Sequence, residues 1–210
     1  MASIIPAIED WPWPYDTVRI VNRFGERVAE FPLVEDDGNM YALLRCVSSK
    51  GCFVPVLDVQ GRVRYRYYLF AERRYLEDFA CERILGDGFQ DDAAFVRIGD
   101  TVFIFEADGR LSRLDEVYLS GEEGASDFVS SGFHYGHALM QRRDGSRVFI
   151  DKHGAAIKEV PGAWGKIEPI AGCPLWEVRE SMPNNRCRTL FLDRQLNVIE
   201  TGDLLEHDRL

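Results

Sequence analysis

A strand–turn–strand pattern recurs five times along this chain of 210 residues. Its clearest copy is "RVFIDKHGAAIKEV" at 147–160, and "TVFIFEADGRLSRL" and "RTLFLDRQLNVIET" follow the same plan. Val, Ile, Phe and Leu flank each turn as strands require, and Gly or Asn can adopt the positive φ of a tight hairpin. Spacings of 36, 48, 45 and 42 residues between the turns are typical of propeller blades and other repeated β units. The turn positions are Gly25, Gly61, Gly109, Gly154 and Leu196-Asn197.

An acidic residue precedes the turn position by three residues in four of the copies. A carboxylate there can accept hydrogen bonds from the amides of the turn, as in Asx turns. We therefore interpret these acids, together with the turn glycines, as structural turn caps and not as catalytic groups. The acids are Asp58, Glu106, Asp151 and Asp193.

Another apolar strand with alternating polar residues precedes each of the last four hairpins, at 40–47, 92–99, 136–143 and 174–181. Short strands in the connectors between copies would complete four-stranded units. The first copy (17–31) has no such strand before it. In a closed ring, C-terminal residues would complete this N-terminal hairpin and leave no sheet edge exposed.

These patterns predict an all-β fold, a β-propeller-like toroid of about five antiparallel units with three or four strands each, in one domain over residues 1–210. A linear stack of β meanders is the alternative. A short helix within 67–85 is as compatible with the spacing of apolar residues as strands are. After an extended N-terminal strap at 1–16, the units are predicted at about 17–38, 39–85, 86–131, 132–172 and 173–210.

The segment "GHALMQRRDGSRVFIDKHGAAIKEV", followed by "GKIEPIAGCPLWEVRES", resembles the bacterial WG-repeat proteins. The resemblance covers about residues 90–200. It departs from the family at the Trp-Gly dipeptide, which occurs here in a connector (164–165) and not before the "FID" strand. The resemblance implies a β-repeat, propeller-like scaffold with binding roles and no catalytic residues to carry over. The matching positions are Phe149-Ile150-Asp151 with Gly154, Phe191-Leu192-Asp193, and Phe105-Glu106 with Gly109.

The formal net charge of −10, from 35 acidic and 25 basic residues, limits the classes of partner. An acidic protein is repelled by phosphate backbones and by anionic lipid leaflets, so we expect neither nucleic acid nor membrane as a partner. A basic protein surface would instead be steered toward this chain.

The cysteines and the N-terminal residues indicate the cellular compartment. The five cysteines are an odd number, and the start of the chain lacks the basic and apolar regions of a secretory signal. No apolar stretch approaches the roughly 18 residues of a membrane helix. We therefore expect reduced thiols and a cytoplasmic location.

Aromatic and acidic residues outside the repeats are the candidates for partner binding. "WPWPY" at 11–15 is stiffened by two prolines, and it is either a strap over the β core or an exposed anchor, since Trp and Tyr are common at interface hot spots. A Trp in a Pro- and Gly-rich loop and two acids in the loop at 121–127 are further surface candidates. The predicted partner-binding residues are Trp11, Trp13, Tyr15, Trp164, Glu122 and Glu123.

No motif for catalysis or for a cofactor stands out. His134 and His137 have a spacing that suits a metal, but no third ligand lies nearby in sequence. "GDGFQDD" at 86–92 lacks the ligand ladder of an EF-hand, and G-x-S-x-G, P-loop and G-x-G-x-x-G patterns do not occur. We predict no metal, no cofactor and no enzymatic activity.

Three functional hypotheses remain. The first is a protein-interaction module, in the manner of an acidic inhibitor or immunity-type protein with a basic partner. The second is a lectin-like propeller that binds glycans or small molecules, and the third is a hydrolase-type enzyme that uses a central channel. The acidic surface, the repeat scaffold and the absence of catalytic motifs favour the first. The second is disfavoured because aromatic and polar pocket residues do not recur in register between the copies, as repeated ligand sites would require.

Overall fold

The computed structural model describes residues 4–7, 17–22, 24–32, 46–115 and 130–199. Within these ranges every regular element is a β-strand, apart from one turn of 3₁₀ helix at Pro183–Asn185. The predicted all-β class is therefore confirmed. The helix considered within 67–85 is absent, because those residues form strands and turns. No helix in the described ranges is long and apolar enough to cross a membrane.

Five antiparallel sheets follow one another along the chain. Sheet A contains β1 (Ile4–Ala7), β2 (Thr17–Asn22) and β3 (Arg27–Pro32), and sheet B contains β4 (Gly51–Leu57), β5 (Val63–Leu69) and β6 (Arg74–Tyr75). Sheet C contains β7 (Arg83–Gln90), β8 (Ala93–Ile98), β9 (Thr101–Glu106) and β10 (Leu111–Arg113). Sheet D contains β11 (Ser130–His134), β12 (His137–Gln141), β13 (Arg147–Asp151) and β14 (Ala156–Glu159). Sheet E contains β15 (Trp164–Pro169), β16 (Trp176–Met182), β17 (Arg186–Leu192) and β18 (Val198–Ile199).

The sheet boundaries differ from the predicted units at three places. β7 pairs with β8 and β15 pairs with β16, so sheets C and E begin before the predicted boundaries at 86 and 173. The predicted units were aligned on their turns, and the short connector strands proved to be the first strands of the next sheet. In sheet A the third strand is β1, from the predicted strap, and not a C-terminal segment. Residues 200–210 lie outside the described ranges.

Consecutive sheets pack face to face around shared apolar clusters, which gives a propeller-like stack. Each of the four contacts A–B, B–C, C–D and D–E has its own cluster, and among the described residues no such cluster joins sheet A to sheet E. Representative members, in the order of these contacts, are Ile20, Phe31 and Val54; Phe53, Tyr67 and Phe105; Phe95, Phe133 and Ile150; and Phe149, Trp176 and Leu192.

The central sheets are apolar on both faces. In β8, Phe95 packs toward sheet D while Ala94 and Val96 pack toward sheet B. Because successive side chains of a strand point to opposite faces, a strand between two sheets must be apolar at every position. The run "AAFV" at 93–96, buried throughout, has this property.

One hairpin turn recurs in all five sheets with the same hydrogen bonds. The amide at the turn position donates to the carbonyl three residues earlier at 2.8–3.0 Å. The four glycines there have φ between 76° and 92°, and Leu196 has φ 62°. Leu196 is buried against Trp176 and Leu192, so apolar burial offsets the strain of a left-handed residue other than glycine.

Contacts between neighbouring sheets fix which turns share an edge of the stack. Ser49 bonds to Asp92 at one edge, and Glu82 joins Arg64 to the amide of Gly99 at the other. We define the Asp91 edge by the turns at 48–50, 91–92, 107–110, 135–136, 152–155 and 193–196. We define the Asp58 edge by the turns at 58–61, 99–100 and 142–145.

The recurrent turn changes edge between sheets B and C. Among the described residues, five strands, β5 to β9, lie between Gly61 and Gly109, whereas four strands separate Gly109 from Gly154 and Gly154 from Leu196. Because consecutive strands run in opposite directions, an odd number of strands moves the next turn to the opposite edge. Gly61 therefore does not occupy the position in its sheet that Gly109 and Gly154 occupy in theirs. The extra strand also explains why the spacing of 48 residues is the longest.

Candidate functional site at the Asp91 edge

Buried polar atoms without hydrogen bonds are concentrated at the Asp91 edge of the described structure. Three buried side-chain polar atoms lack a hydrogen-bond partner among the described residues: Glu106 Oε1, His137 Nδ1 and Trp176 Nε1. All three lie where a strand meets this edge. His134 and His153 are at the same edge. Buried polar groups without partners are costly and are rare in folded proteins, so their concentration here marks a candidate site.

A two-residue turn, Asp91-Asp92, joins sheet C to both of its neighbours. Both residues have positive φ, 51° and 58°, as a type I′ hairpin turn requires. Asp92 accepts bonds from Ser49 N at 2.8 Å and Ser49 Oγ at 2.7 Å in the connection that leads into sheet B. Asp91 Oδ2 accepts a bond from the amide of Gly136 in sheet D at 2.5 Å and lies 3.6 Å from Lys152 Nζ. One turn therefore anchors two interfaces.

Four of the five recurrent turns carry a side-chain cap. In each, Oδ1 of the first residue accepts bonds from the amides two and four residues later, at 2.8–3.1 Å. The capping residues are Asn22, Asp58, Asp151 and Asp193.

These bonds favour the charged form of the carboxylates. The amide of Arg62 is the largest cause that lowers the pKa of Asp58, to about 2. The amide of Asn197 is the largest cause that lowers the pKa of Asp193.

Glu106 is a correction to the sequence analysis, which placed it among the turn caps. The backbone of its turn has the recurrent hydrogen bonds, but no amide of the turn bonds to its carboxylate. Asp108 Oδ1 instead accepts the bond from the amide of Arg110 at 3.1 Å. Because Glu is one methylene longer than Asp, its carboxylate extends past the turn toward sheet D. There Oε1 lies 3.8 Å from His153 Nδ1 and 3.6 Å from an Arg110 guanidinium nitrogen.

A second polar group lies between sheets D and E. His134 and His137 are direct cross-strand partners, and the ring of His134 meets that of Trp176 edge to face at 5.7 Å. His137 Nε2 lies 3.0 Å from the carbonyl oxygen of Arg194 and donates a hydrogen bond to it. Trp176 is fully buried. In the described part of the chain, no group of three or more His, Cys, Asp or Glu side chains could hold a metal ion.

Trp164 is the second correction. The sequence analysis placed it in a loop as a surface candidate, but it begins β15 and is 4% exposed. Its indole packs in the cluster between sheets D and E, with Ile167 and Phe149. A buried Trp cannot serve as an exposed anchor. The other predicted partner-binding residues, Trp11, Trp13, Tyr15, Glu122 and Glu123, lie outside the described residues.

The sequence analysis also missed Asp91, Asp92 and Asn22. In "GDGFQDD", two acids between two apolar runs are a usable signal for a two-residue hairpin. Asn22 stands three residues before Gly25, where the other copies carry an acid.

Charge is unevenly divided between the described ranges and the remaining segments of the sequence. The described ranges contain 22 basic and 21 acidic residues, whereas the remaining segments contain 3 basic and 14 acidic residues. The net negative charge of the chain therefore comes from the segments outside the described ranges.

Comparison with known proteins adds little. No protein-family model matches the chain, and no curated protein sequence matches it. BamB from Moraxella catarrhalis is a structural neighbour with 11% identity and a TM-score of 0.34, over 88% of this chain and 54% of that one. The dihydro-heme d1 dehydrogenase NirN, in complex with DHE, has 12% identity and a TM-score of 0.28, over 88% and 51%. The chain thus spans about half the length of each. The fold described above rests on its own sheets, and the resemblance to WG-repeat proteins stays a prediction.

Proposed function

We propose that this chain is a cytoplasmic, non-enzymatic protein-interaction module that binds a basic protein partner, in the manner of an acidic inhibitor or immunity-type protein. The observation that carries the proposal is the division of charge, with near balance in the described ranges and an excess of 11 acidic residues in the remaining segments.

The charges on the sheets largely neutralise one another. Arg142 binds both carboxylate oxygens of Glu159, at 2.6 and 2.7 Å, and Arg64 lies between Asp58 and Glu82. Acids paired in this way offer little net attraction to a partner. The acid-rich segments contain few basic residues to oppose them, so a basic partner would be steered to them, and its binding would weaken with salt.

The lectin-like alternative loses support from the burial of Trp164, because a buried indole cannot stack on a sugar. The described structure adds no observation that favours it or the hydrolase alternative.

The test is affinity co-purification of the tagged full chain from host lysate at about 0.05 M and about 0.5 M NaCl. We expect a stoichiometric basic partner at low salt that is lost at high salt. In the double variant Glu122→Gln/Glu123→Gln, recovery at low salt should fall by about two- to tenfold, because two attractive charges are removed.

The matched control is Glu72→Gln/Glu77→Gln. It removes the same charge from exposed acids that pair with Arg74 on sheet B, and it should leave recovery unchanged. Equal losses in both double variants would show an effect of net charge alone and would contradict a role for the acid-rich segments. Absence of any stoichiometric partner would contradict the proposal as a whole.

A further inference from the structure

We propose that Glu106 and His153 form a pH-sensitive clasp between sheets C and D at the Asp91 edge. The clasp is closed when His153 is protonated and relaxes when it is neutral. It goes beyond the proposed function and does not depend on any partner.

The five recurrent turns differ in what the side chain of their first residue contacts. Where the first residue is Asn or Asp, its oxygen bonds to two amides of its own turn. Sheet C alone has Glu at this position, and no amide of its own turn bonds to the carboxylate. The extra methylene releases this carboxylate from a local role and lets it reach the equivalent turn of sheet D, at 152–155.

The surroundings of Glu106 leave its carboxylate only partly neutralised. Its side chain is only 18% exposed, and Oε1 is buried without a hydrogen bond among the described residues. The nearest cations are Arg110, on its own turn, and His153 across the interface. Arg110 also lies 3.8 Å from Asp108 and is shared between two acids. Protonation of His153 therefore adds a positive charge beside the Glu106 carboxylate, which Arg110 neutralises only in part.

The other charged groups around the clasp are already engaged. On the facing turn, Asp151 caps its own amides and Lys152 contacts Asp91. On sheet C, Asp92 bonds to Ser49. Among these residues only Asp151 contacts the pair, and it does so through the main-chain amide of His153 and not through the imidazole.

The sign of the pH effect follows from the pair. Imidazole side chains change charge between about pH 5 and pH 8. Attraction between imidazolium and carboxylate is present at the low end of this range and is lost as pH rises. Because His153 is 59% exposed, solvent screens the pair, and the coupling should amount to about a two- to fivefold change in the folding equilibrium constant.

A double-mutant cycle tests the clasp. Free energies of unfolding in urea are compared for the full chain, Glu106→Gln, His153→Gln and the double variant, at pH 5.5 and at pH 8. We expect coupling between the two positions at pH 5.5 and a loss of most of it at pH 8. Equal coupling at both pH values, or none at pH 5.5, would overturn the proposal.

Two further variants test whether the pH dependence belongs to the pair Glu106 and His153. Glu159→Gln breaks an ion pair with Arg142, which stays charged throughout, so its cost should not differ between the two pH values. Glu106→Asp should restore the turn cap and slow hydrogen exchange at the amides of Asp108 and Arg110, while it removes the coupling to His153. Coupling that persists in Glu106→Asp would overturn the argument from side-chain length.

Discussion

Sheets C and E have the same plan of four antiparallel strands but different surroundings. Sheet C lies between two sheets, and residues 93–96 of β8 are buried without a break. Sheet E has one neighbour in the described structure. In β16, Trp176 and Val178 point to that neighbour, while Glu177 and Arg179 point outward with side chains 40% and 63% exposed. A strand covered on both faces is thus apolar at successive positions, whereas a strand covered on one face alternates apolar and polar residues.

The same comparison predicts where stability resides. A Phe that is buried in sheet C contacts side chains of two sheets, whereas an outward Phe in sheet E has one apolar side at most. Large-to-small substitutions cost free energy in proportion to the apolar contacts and the cavity that they leave. Matched changes in the two sheets should therefore differ widely.

The largest effect is expected for Phe105→Ala in β9. Phe105 is fully buried and lies within 5.1 Å, between ring centroids, of Phe53, Tyr67 and Phe79. Its loss should lower the free energy of unfolding by about 3–5 kcal/mol. Phe191→Ala, on the outward face of β17, is the control and should cost less than about 1.5 kcal/mol. Urea denaturation measures both, and similar costs would show that burial on two faces confers no special stability.

Thiol reactivity tests the same difference in burial without any substitution in the core. Cys46, Cys52 and Cys81 lie in and beside sheet B, which also has two neighbours, and all three are buried, whereas Cys187 of sheet E is exposed and Cys173 is half-buried. Burial raises the pKa of Cys46 to about 12 and disfavours its reactive thiolate.

With a chromogenic disulfide reagent at pH 8, two thiols of the native protein should react quickly and the other three only after opening or unfolding. Cys187→Ser should remove one fast thiol. Fast reaction of a second thiol in that variant would contradict the burial of the group at sheet B.

The smallest expected effect is on acid stability, and it concerns the turn caps Asp58 of sheet B and Asp193 of sheet E. The lowered pKa of Asp58 means that its charged form is favoured in the folded state, so its stabilisation is present above the unfolded value of about 3.9 and is lost as pH falls toward 2. Asp58→Asn keeps an acceptor oxygen but should flatten the loss of stability between pH 5 and pH 2.

Asp193→Asn in sheet E should act in the same direction, because the pKa of Asp193 is also lowered. Unfolding free energies at four or five pH values measure both slopes. If either variant follows the wild-type profile, the cap at that turn does not contribute to acid stability.

Much of the fold could be predicted from local patterns. The recurrent turn needs only a residue able to adopt positive φ and an acceptor three residues before it, and both are visible in the sequence. The change of edge could not be predicted, because it depends on whether four or five strands intervene. The deciding strand, β6, has only two residues and no periodicity of its own.

The candidate site was harder to predict because its contacts connect distant parts of the chain. Asp92 and Ser49 are 43 residues apart, and Asp91 and Gly136 are 45 residues apart. Glu106 shows the limit of pattern matching. Glu and Asp look equivalent in the repeat, yet one methylene decides whether the carboxylate caps its own turn or reaches the next sheet. Trp164 was placed wrongly because its strand follows a loop-like "PGA" segment.

The turn at Asp91-Asp92 has a mechanical consequence. Its two adjacent residues are tied to opposite neighbours, so a force that slides sheet B along sheet C pulls on the same short piece of backbone that holds sheet D. Shear at one interface is thereby transmitted to the next, and the three central sheets resist sliding as a single rigid block. Under an external load, rupture should begin at the outer sheets, where no such double tie joins neighbouring interfaces in the described structure.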